Sequence, residues 1–316
     1  MKMNHKALVS IALCTYNGEA YLREQLDSIV NQSYSPIEII AVDDCSSDNT
    51  LSILKEYAAN YSFIKVFVNP ENLGYIRNFE KALQLCSGKF IALSDQDDIW
   101  DLYKIEKQVK AIGYHILVYH DSEFVDQNGQ LLNKKMSDIM NLYRGDQPES
   151  FLFFNCISGH SVLMKKELRD ELLPFPNAYF HDWWMGYVAT NLGSIDCIDE
   201  PLVKYRQHNK ADTNILKRKR DNSTRNQLSA LMKYDKKLRW LKSCAEYSKN
   251  KNPVFIQNLY AEFMKNKTVY FSFGLAGMIY ANRSVLFNIN KKSSFSKLNF
   301  SLKELWGRKI RRIFSD

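Results

Sequence analysis

Three carboxylates within four residues, Asp95, Asp97 and Asp98 in the run FIALSDQDDIW, are the first groups in this chain whose spacing suggests chemistry. Like charges so close repel unless a cation or a dense set of donors balances them. Two readings are open. The carboxylates suit Mg²⁺ or Mn²⁺ as hard oxygen ligands that leave positions for a phosphate, or they form a solvated acidic turn capping the next helix. A second centre is Tyr179-Phe180-His181-Asp182-Trp183-Trp184. Aromatic neighbours partly desolvate Asp182, which raises its proton affinity towards that of a general base. Trp183 and Trp184 offer flat surfaces on which a ring can stack, and the structural alternative is an N-cap aspartate with core tryptophans.

The elements that must position these groups alternate. Ala7–Cys14 reads as a strand running into the turn Thr15-Tyr16-Asn17-Gly18, and Tyr21, Leu22, Leu26, Ile29 and Val30 recur at helical spacing. Ile37–Asp44 is a continuous apolar strand of the kind buried on both faces of a parallel sheet, and it ends in Asp43 and Asp44. A helix through Leu51–Tyr57, a strand Ile64–Val68, a helix from about Tyr75 to Cys86 and the strand Phe90–Leu93 follow. Four strand–helix alternations predict a parallel α/β sheet whose strand ends share one edge, where ligands bind in such sheets. Thr15, Tyr16, Asn17, Asp43, Asp44 and the acidic turn all fall there. The first strand is followed by neither G-x-G-x-x-G nor a Walker lysine loop, which counts against dinucleotide oxidoreductases and P-loop phosphotransferases.

Beyond residue 112 the pattern is less regular. His115–Val125 is expected to be a strand with Asp121 near its end, Gly129–Leu132 its hairpin partner, and Met136–Ser150 a loop. A strand Val162–Met164 and a helix Lys165–Leu173 precede the aspartate–tryptophan segment, with His160 as a core or acceptor-site residue. The six cysteines are scattered, which suits a reducing compartment, and the first 18 residues lack the pattern of a signal peptide. Charge is divided: residues 217–316 carry 23 Lys and Arg against 6 Asp and Glu, whereas residues 1–216 are net −9.

Together, SIALCTYNG, VDDCSSD, N-x-G-x-x-x-N and LSDQDDIW, in this order, resemble the family 2 glycosyltransferases with the GT-A fold. The resemblance is strongest over the first 110 residues and continues to about Asn214. It implies nucleotide contacts by Thr15, Tyr16, Asn17 and Asp43, with Arg77 as a basic residue near the nucleotide. It makes Asp95-Gln96-Asp97 the D-x-D element, with Asp97 the direct metal ligand, Asp98 a supporting acid and Asp95 on the donor. Asp182 becomes the catalytic base, with Trp183 and Trp184 at the acceptor sugar, and His181 stands where glutamate often precedes that aspartate. Pro201–His208 resembles the closing segment, with His208 completing the metal site and Arg206 neutralising phosphate.

The implied fold is α/β, a Rossmann-like, mostly parallel sheet with helices on both faces. Its expected limits are a catalytic domain at 1–214, divided into a nucleotide half at 1–112 and an acceptor half at 113–214, followed by a basic helical extension at 215–316. The implied enzyme is an inverting hexosyltransferase using Mn²⁺ or Mg²⁺. Its donor would be UDP-galactose, UDP-glucose or dTDP-rhamnose, and its acceptor an undecaprenyl-diphosphate-linked glycan of O-antigen or capsule. Its expected place is the cytoplasm, on the inner face of the bacterial plasma membrane.

In the extension, Lys217–Arg220 is a basic block, and Leu302–Phe314 places Leu302, Leu305, Trp306, Ile310 and Ile313 near one face of a basic helix. Such a helix reads either as interfacial or as an appendage packed on the domain. The apolar window Thr268–Phe287 is interrupted by Asn282 and Arg283 and falls short of a span of about 20 residues. Alternatives from other classes are a nucleotidyltransferase, which would want a basic glycine-containing loop after the first strand, and a non-enzymatic nucleic-acid or membrane-binding module driven by the tail. The aromatic-spaced motifs of nucleic-acid readers are absent, so no nucleic-acid partner is expected.

Overall fold

The structure, a computed structural model, describes residues 6–176, 179–208, 216, 226–291 and 293–313, with the side chains of 226–231 and 311–313 left aside. By internal contacts the chain divides into two compact units. One comprises Met1–Asp146, Cys156–Phe175 and Phe180–Leu216, and the other Gln147–Asn155, Pro176–Tyr179 and Lys217–Asp316.

The first unit is built on β1 (Val9–Thr15), β2 (Ile37–Asp43), β3 (Ile64–Val68) and β4 (Phe90–Ser94), all parallel in the order β3-β2-β1-β4. Every residue of β1 and β4 is buried, as their predominantly apolar sequences require of strands covered on both faces. The intervening helices α1 (Leu22–Val30), α2 (Thr50–Asn60) and α3 (Tyr75–Leu85) bury residues at helical spacing: Leu22, Leu26 and Ile29 on α1, Ile53, Leu54 and Tyr57 on α2. Three to four residues per turn thus become one apolar stripe against the sheet.

A helix does not follow the acidic turn directly. Ile99–Trp100 first forms the short strand β5, antiparallel to a later strand, and α4 (Lys104–Ile112) begins after it. The sheet continues through β6 (Leu117–Val125), its hairpin partner β7 (Leu131–Lys135), and β8 (Leu163–Lys165), which joins β4 antiparallel. The expected loop 136–150 contains a helical turn, α5 (Met136–Ile139), and a 3-10 turn at Pro148–Phe151. After α6 (Lys166–Leu172) and α7 (His181–Leu192), the last strand β9 (Ile195–Arg206) is longer than its sequence suggested and runs parallel to β6. Its polar residues Asp196, Asp199 and Glu200 disguise it. The ladder slips where Asp121 faces Pro201, a residue with no N–H to donate.

The second unit is helical: α8 (Asn226–Glu246), α9 (Pro253–Asn266), α10 (Phe273–Ala281), α11 (Arg283–Leu286), α12 (Ser294–Leu305) and α13 (Arg308–Ile313). The single amphipathic helix expected over Leu302–Phe314 is broken at Trp306-Gly307. Ser272 N donates to Leu305 O at 2.8 Å and Gly307 N to Tyr270 O at 2.7 Å, so neighbouring backbone takes the groups that would continue the helix. Only glycine fits there, since a Cβ on Gly307 would lie 2.0 Å from Val269 O. Asn282 interrupts the apolar window between α10 and α11, and no helix among the described residues is long and apolar enough to cross a membrane. The basic block Lys217–Arg220 lies outside the described residues.

Candidate active site

The carboxyl ends of β1, β2 and β4 open onto a cavity of about 460 Å³ within the first unit. Its acidic lining is Asp44, Asp95 and Asp97; Tyr16, Arg206 and His208 also border it. Side-chain hydrogen bonds between strand ends build its floor. Asp43, fully buried at the end of β2, accepts from Thr15 Oγ1 at 2.9 Å and from Ser46 Oγ and N at 2.6 and 2.9 Å. It ties β1 to β2 and is not among the lining residues. Asp44 is the carboxylate that borders the cavity. It accepts from Asn69 Nδ2 at 2.6 Å and from Leu73 N and Gly74 N at 2.9 Å each, fixing the loop before α3.

Tyr16 is 47% exposed at the cavity edge, and its backbone is clamped to the acidic turn. Gln96 Oε1 accepts from Tyr16 N at 2.8 Å, while Gln96 Nε2 donates to Tyr16 O at 3.0 Å. Any Cβ on Gly18 would strike Gln96 at 2.2 Å, so the glycine of the TYNG turn makes room for this clamp. Asn17 sits at φ 47°, a conformation asparagine tolerates, and its Oδ1 accepts from Ser47 N at 2.8 Å. Gln96 reads in the sequence only as the spacer of D-x-D; no local signal announces its pairing with a turn 80 residues away.

Asp97 Oδ2 lies 2.8 Å from His208 Nε2, which brings together the two residues expected at a metal. Beside them, Asp95, Asp98 and His160 place one ligand atom each within 4.8 Å of one another. Asp98 is fully buried: Oδ1 accepts from Arg206 N at 3.0 Å, and Oδ2 has no hydrogen-bond partner, with His160 Nδ1 3.5 Å away. Burial first, then the charges of Asp97 and Asp95, hold the Asp98 carboxyl well above the usual carboxylate range. Burial and the Lys104 charge push His160 down to about 3, so its ring is neutral with a lone pair to offer. An orphaned carboxylate oxygen, further acids and two imidazoles form a hard-to-borderline donor set that fits a divalent cation. His160 was legible only as a core or acceptor-site histidine, because β8 and the preceding 3-10 turn carry it to the acidic turn across 62 residues of chain.

Arg206 and Arg77 are occupied by the protein. The Arg206 side chain is 2% exposed; its Nε donates to Asp97 O at 2.7 Å, Nη1 to Gln127 O at 3.1 Å and Nη2 to Glu24 Oε2 at 2.5 Å. A guanidinium so spent pins the acidic turn to β9. Arg77 Nη1 donates to the Glu80 carboxylate one turn along α3, and Arg77 is not among the lining residues.

Asp182 lies in the first turn of α7. The residue is half-buried, and its Oδ1 is buried with no hydrogen-bond partner; burial pushes the carboxyl up to about 7. Asp182 is not itself a lining residue, but His181 beside it stacks on Phe79 at 4.6 Å between centroids, and Phe79 borders the cavity. His181 is 9% exposed, both its ring nitrogens lack partners, and burial pushes it down to about 4. It is a neutral core histidine. Trp183 is half-buried, whereas Trp184 is 7% exposed, donates from Nε1 to Leu172 O at 3.2 Å and stacks on Tyr187. Trp184 therefore belongs to the core and presents no platform to an acceptor, because the helical turn that exposes Trp183 turns its neighbour inward.

The sequence pattern described as "Glycosyl transferase family 2" matches residues 10–173, more than half of the chain. The chain belongs to this family. It is 34% identical over 220 residues to an uncharacterized glycosyltransferase of Haemophilus influenzae, an alignment covering 65% of this chain and 67% of that protein. Over 107 residues it is 38% identical to TuaG of Bacillus subtilis, a putative teichuronic acid biosynthesis glycosyltransferase, covering 34% of this chain and 42% of the relative. Among solved structures, residues 1–349 of S. aureus TarS superpose with a TM-score of 0.58 at 17% identity, over 95% of this chain and 80% of that one. A mannosyltransferase from Pyrobaculum calidifontis, in complex with GDP-Man and Mn²⁺, gives 0.51 at 16% identity, over 99% and 89%. The fold of this family 2 glycosyltransferase is thus GT-A, a curled, mostly parallel sheet with helices, followed by C-terminal helices.

Proposed function

We propose that this family 2 glycosyltransferase inverts the anomeric centre as it moves a hexosyl or rhamnosyl group from UDP-galactose, UDP-glucose or dTDP-rhamnose. The acceptor is a hydroxyl of a lipid-linked glycan, with undecaprenyl diphosphate as the carrier, in the synthesis of a bacterial surface polysaccharide such as O-antigen or capsule. The observation that carries the reading is the pairing of an acidic, histidine-bearing cavity at the strand ends with a carboxyl raised to about 7 on the adjoining helix. A relative named as a putative teichuronic acid biosynthesis glycosyltransferase and a structural neighbour solved with GDP-Man and Mn²⁺ support it.

In this reading residues 1–214 are the catalytic domain, with nucleotide held by 1–112, acceptor by 113–214, and the basic 215–316 region at the membrane. Tyr16, Asn17 and the Thr15–Asp43 pair shape the nucleotide end, Asp95 borders the sugar, and Trp183 is the aromatic surface left for the acceptor. A divalent cation, Mn²⁺ or Mg²⁺, would be held by Asp97 and His208 beside Asp95, Asp98 and His160, and when bound it supplies neutralisation of the diphosphate. Asp182 takes the proton of the acceptor hydroxyl as that oxygen bonds to the anomeric carbon and the carbon–oxygen bond to phosphate breaks. The nucleoside diphosphate leaves with the bonding pair, and one in-line displacement inverts the centre.

The test is nucleoside diphosphate release from a panel of UDP and dTDP sugars, with Mn²⁺ or chelator and a synthetic lipid-diphosphate acceptor. One donor should turn over only with metal, and Asp97→Ala should lower the rate by roughly 10²- to 10³-fold, as loss of a charge-stabilising group does. Failure of every UDP or dTDP sugar to bind with metal would sink the reading.

A further inference from the structure

The second unit holds a cavity of its own, about 400 Å³, far apart in chemistry from the acidic one. Phe154, Phe287, Phe300 and Trp306 form an aromatic wall, and Lys297 and Lys303 stand among the lining residues. An apolar wall flanked by ammonium groups matches an amphiphile with a phosphate head.

Trp306 also belongs to the elbow between α12 and α13, where aromatic rings face solvent on a fixed backbone. Phe271 is 47% exposed, Phe273 71% and Trp306 45%. Their rings form one patch, Phe271 lying 6.0 Å from Phe273 and 5.5 Å from Trp306 between centroids. Phe271 and Trp306 are bridged through their backbones, and the hydrogen bonds from Ser272 and Gly307 hold the elbow on either side. These rings are therefore not on a frayed end. Contiguous apolar surface kept in water by a rigid backbone marks a surface that something covers. Charge says what. Residues 217–316 carry 23 Lys and Arg against 6 Asp and Glu, and a lysine or arginine near an anionic leaflet attracts it while aromatic rings settle at the headgroup level. No described helix is long and apolar enough to cross a membrane.

We infer that this face docks the protein on an anionic lipid bilayer, with Phe271, Phe273 and Trp306 entering the headgroup region and the Lys297–Lys303 cavity receiving one lipid phosphate. The inference rests on the proposed function only where that reading sets the protein at a membrane, and it names the surface that does so.

The experiment is vesicle flotation of the full chain on phosphatidylcholine with and without phosphatidylglycerol. Binding should require the anionic lipid. Phe273→Ser, at a ring already mostly in water, and the pair Lys297→Ala with Lys303→Ala should each weaken it by about tenfold or more, with thermal melts unchanged. Equal binding to neutral vesicles, unchanged binding by both variants, or a preference for duplex DNA or RNA with no flotation would overturn the inference. Nucleotide-sugar turnover in solution separates the two proposals: lost flotation with turnover intact in Phe273→Ser supports this one, absent flotation in a wild-type chain that turns over overturns it alone, and flotation without turnover leaves it standing while the proposed reaction falls.

Discussion

The two sides of the acidic cavity treat buried charge in opposite ways. At the end of β2, Asp43 and Asp44 are buried and each accepts three hydrogen bonds from β1 or the neighbouring loops. Around the acidic turn and α7, Asp98 Oδ2, Asp182 Oδ1 and both His181 nitrogens are buried without a hydrogen bond. A saturated carboxylate stabilises the turns that surround it, whereas an unsatisfied one costs about 1–3 kcal/mol and keeps its affinity for a proton or a cation. Saturated and unsatisfied acids are thus told apart by their partners, although in the sequence Asp43 and Asp98 alike follow an apolar run.

The strongest way to break this contrast is Asp182→Asn, which keeps the shape and removes the proton acceptor. Turnover should fall by roughly 10²- to 10⁴-fold with donor affinity intact, and a rate within threefold of wild type would make Asp182 merely structural, on the order set by that same range. The wild-type rate should rise with pH through about 7, where the carboxyl ionises. Stability should run the other way. The folded state binds the proton more tightly than the unfolded chain, so this contribution is full below about pH 4 and lost as pH rises through about 7. Thermal melts should therefore show Asp182→Asn gaining on wild type at alkaline pH and matching it in acid.

Next in size is Arg206→Met. It removes three side-chain hydrogen bonds, to Asp97 O in the acidic turn, to Gln127 O and to Glu24, and denaturant unfolding should show a loss of about 3 kcal/mol. If Arg206 served the diphosphate instead, donor affinity would fall with stability unchanged. The smallest effect belongs to Trp184→Phe, which deletes the bond to Leu172 O: about 1 kcal/mol of stability, with the acceptor KM unmoved. A marked rise in that KM would return Trp184 to the acceptor site.

The alternation of strands and helices through residue 94 was legible because apolar periodicity is a local property, and burial on two faces needs uninterrupted runs. The acidic turn and the aspartate before the tryptophans could be read for the same reason, since their chemistry is carried by residue type and close spacing. The length of β9 was hidden by its charged residues, and the break in the last helix by contacts with residues 269–272. Residue type also promised more than geometry granted: arginines at 77 and 206 are cations in any context, yet each is consumed by a carboxylate or a carbonyl of the protein.

By itself, then, the order of residues determined the parallel first half of the sheet, the place of its acidic clusters at one sheet edge, and the division of charge between an acidic body and a basic C-terminal region. Tertiary structure alone decided that Gln96 clamps Tyr16, that His160 joins Asp95 and Asp98, and that Asp44 rather than Asp43 borders the cavity. It also turned Trp184 inward and left Trp183 half-open. The physical reason is that hydrogen-bond saturation and desolvation depend on which distant groups share a space, and that is a property of the packed chain.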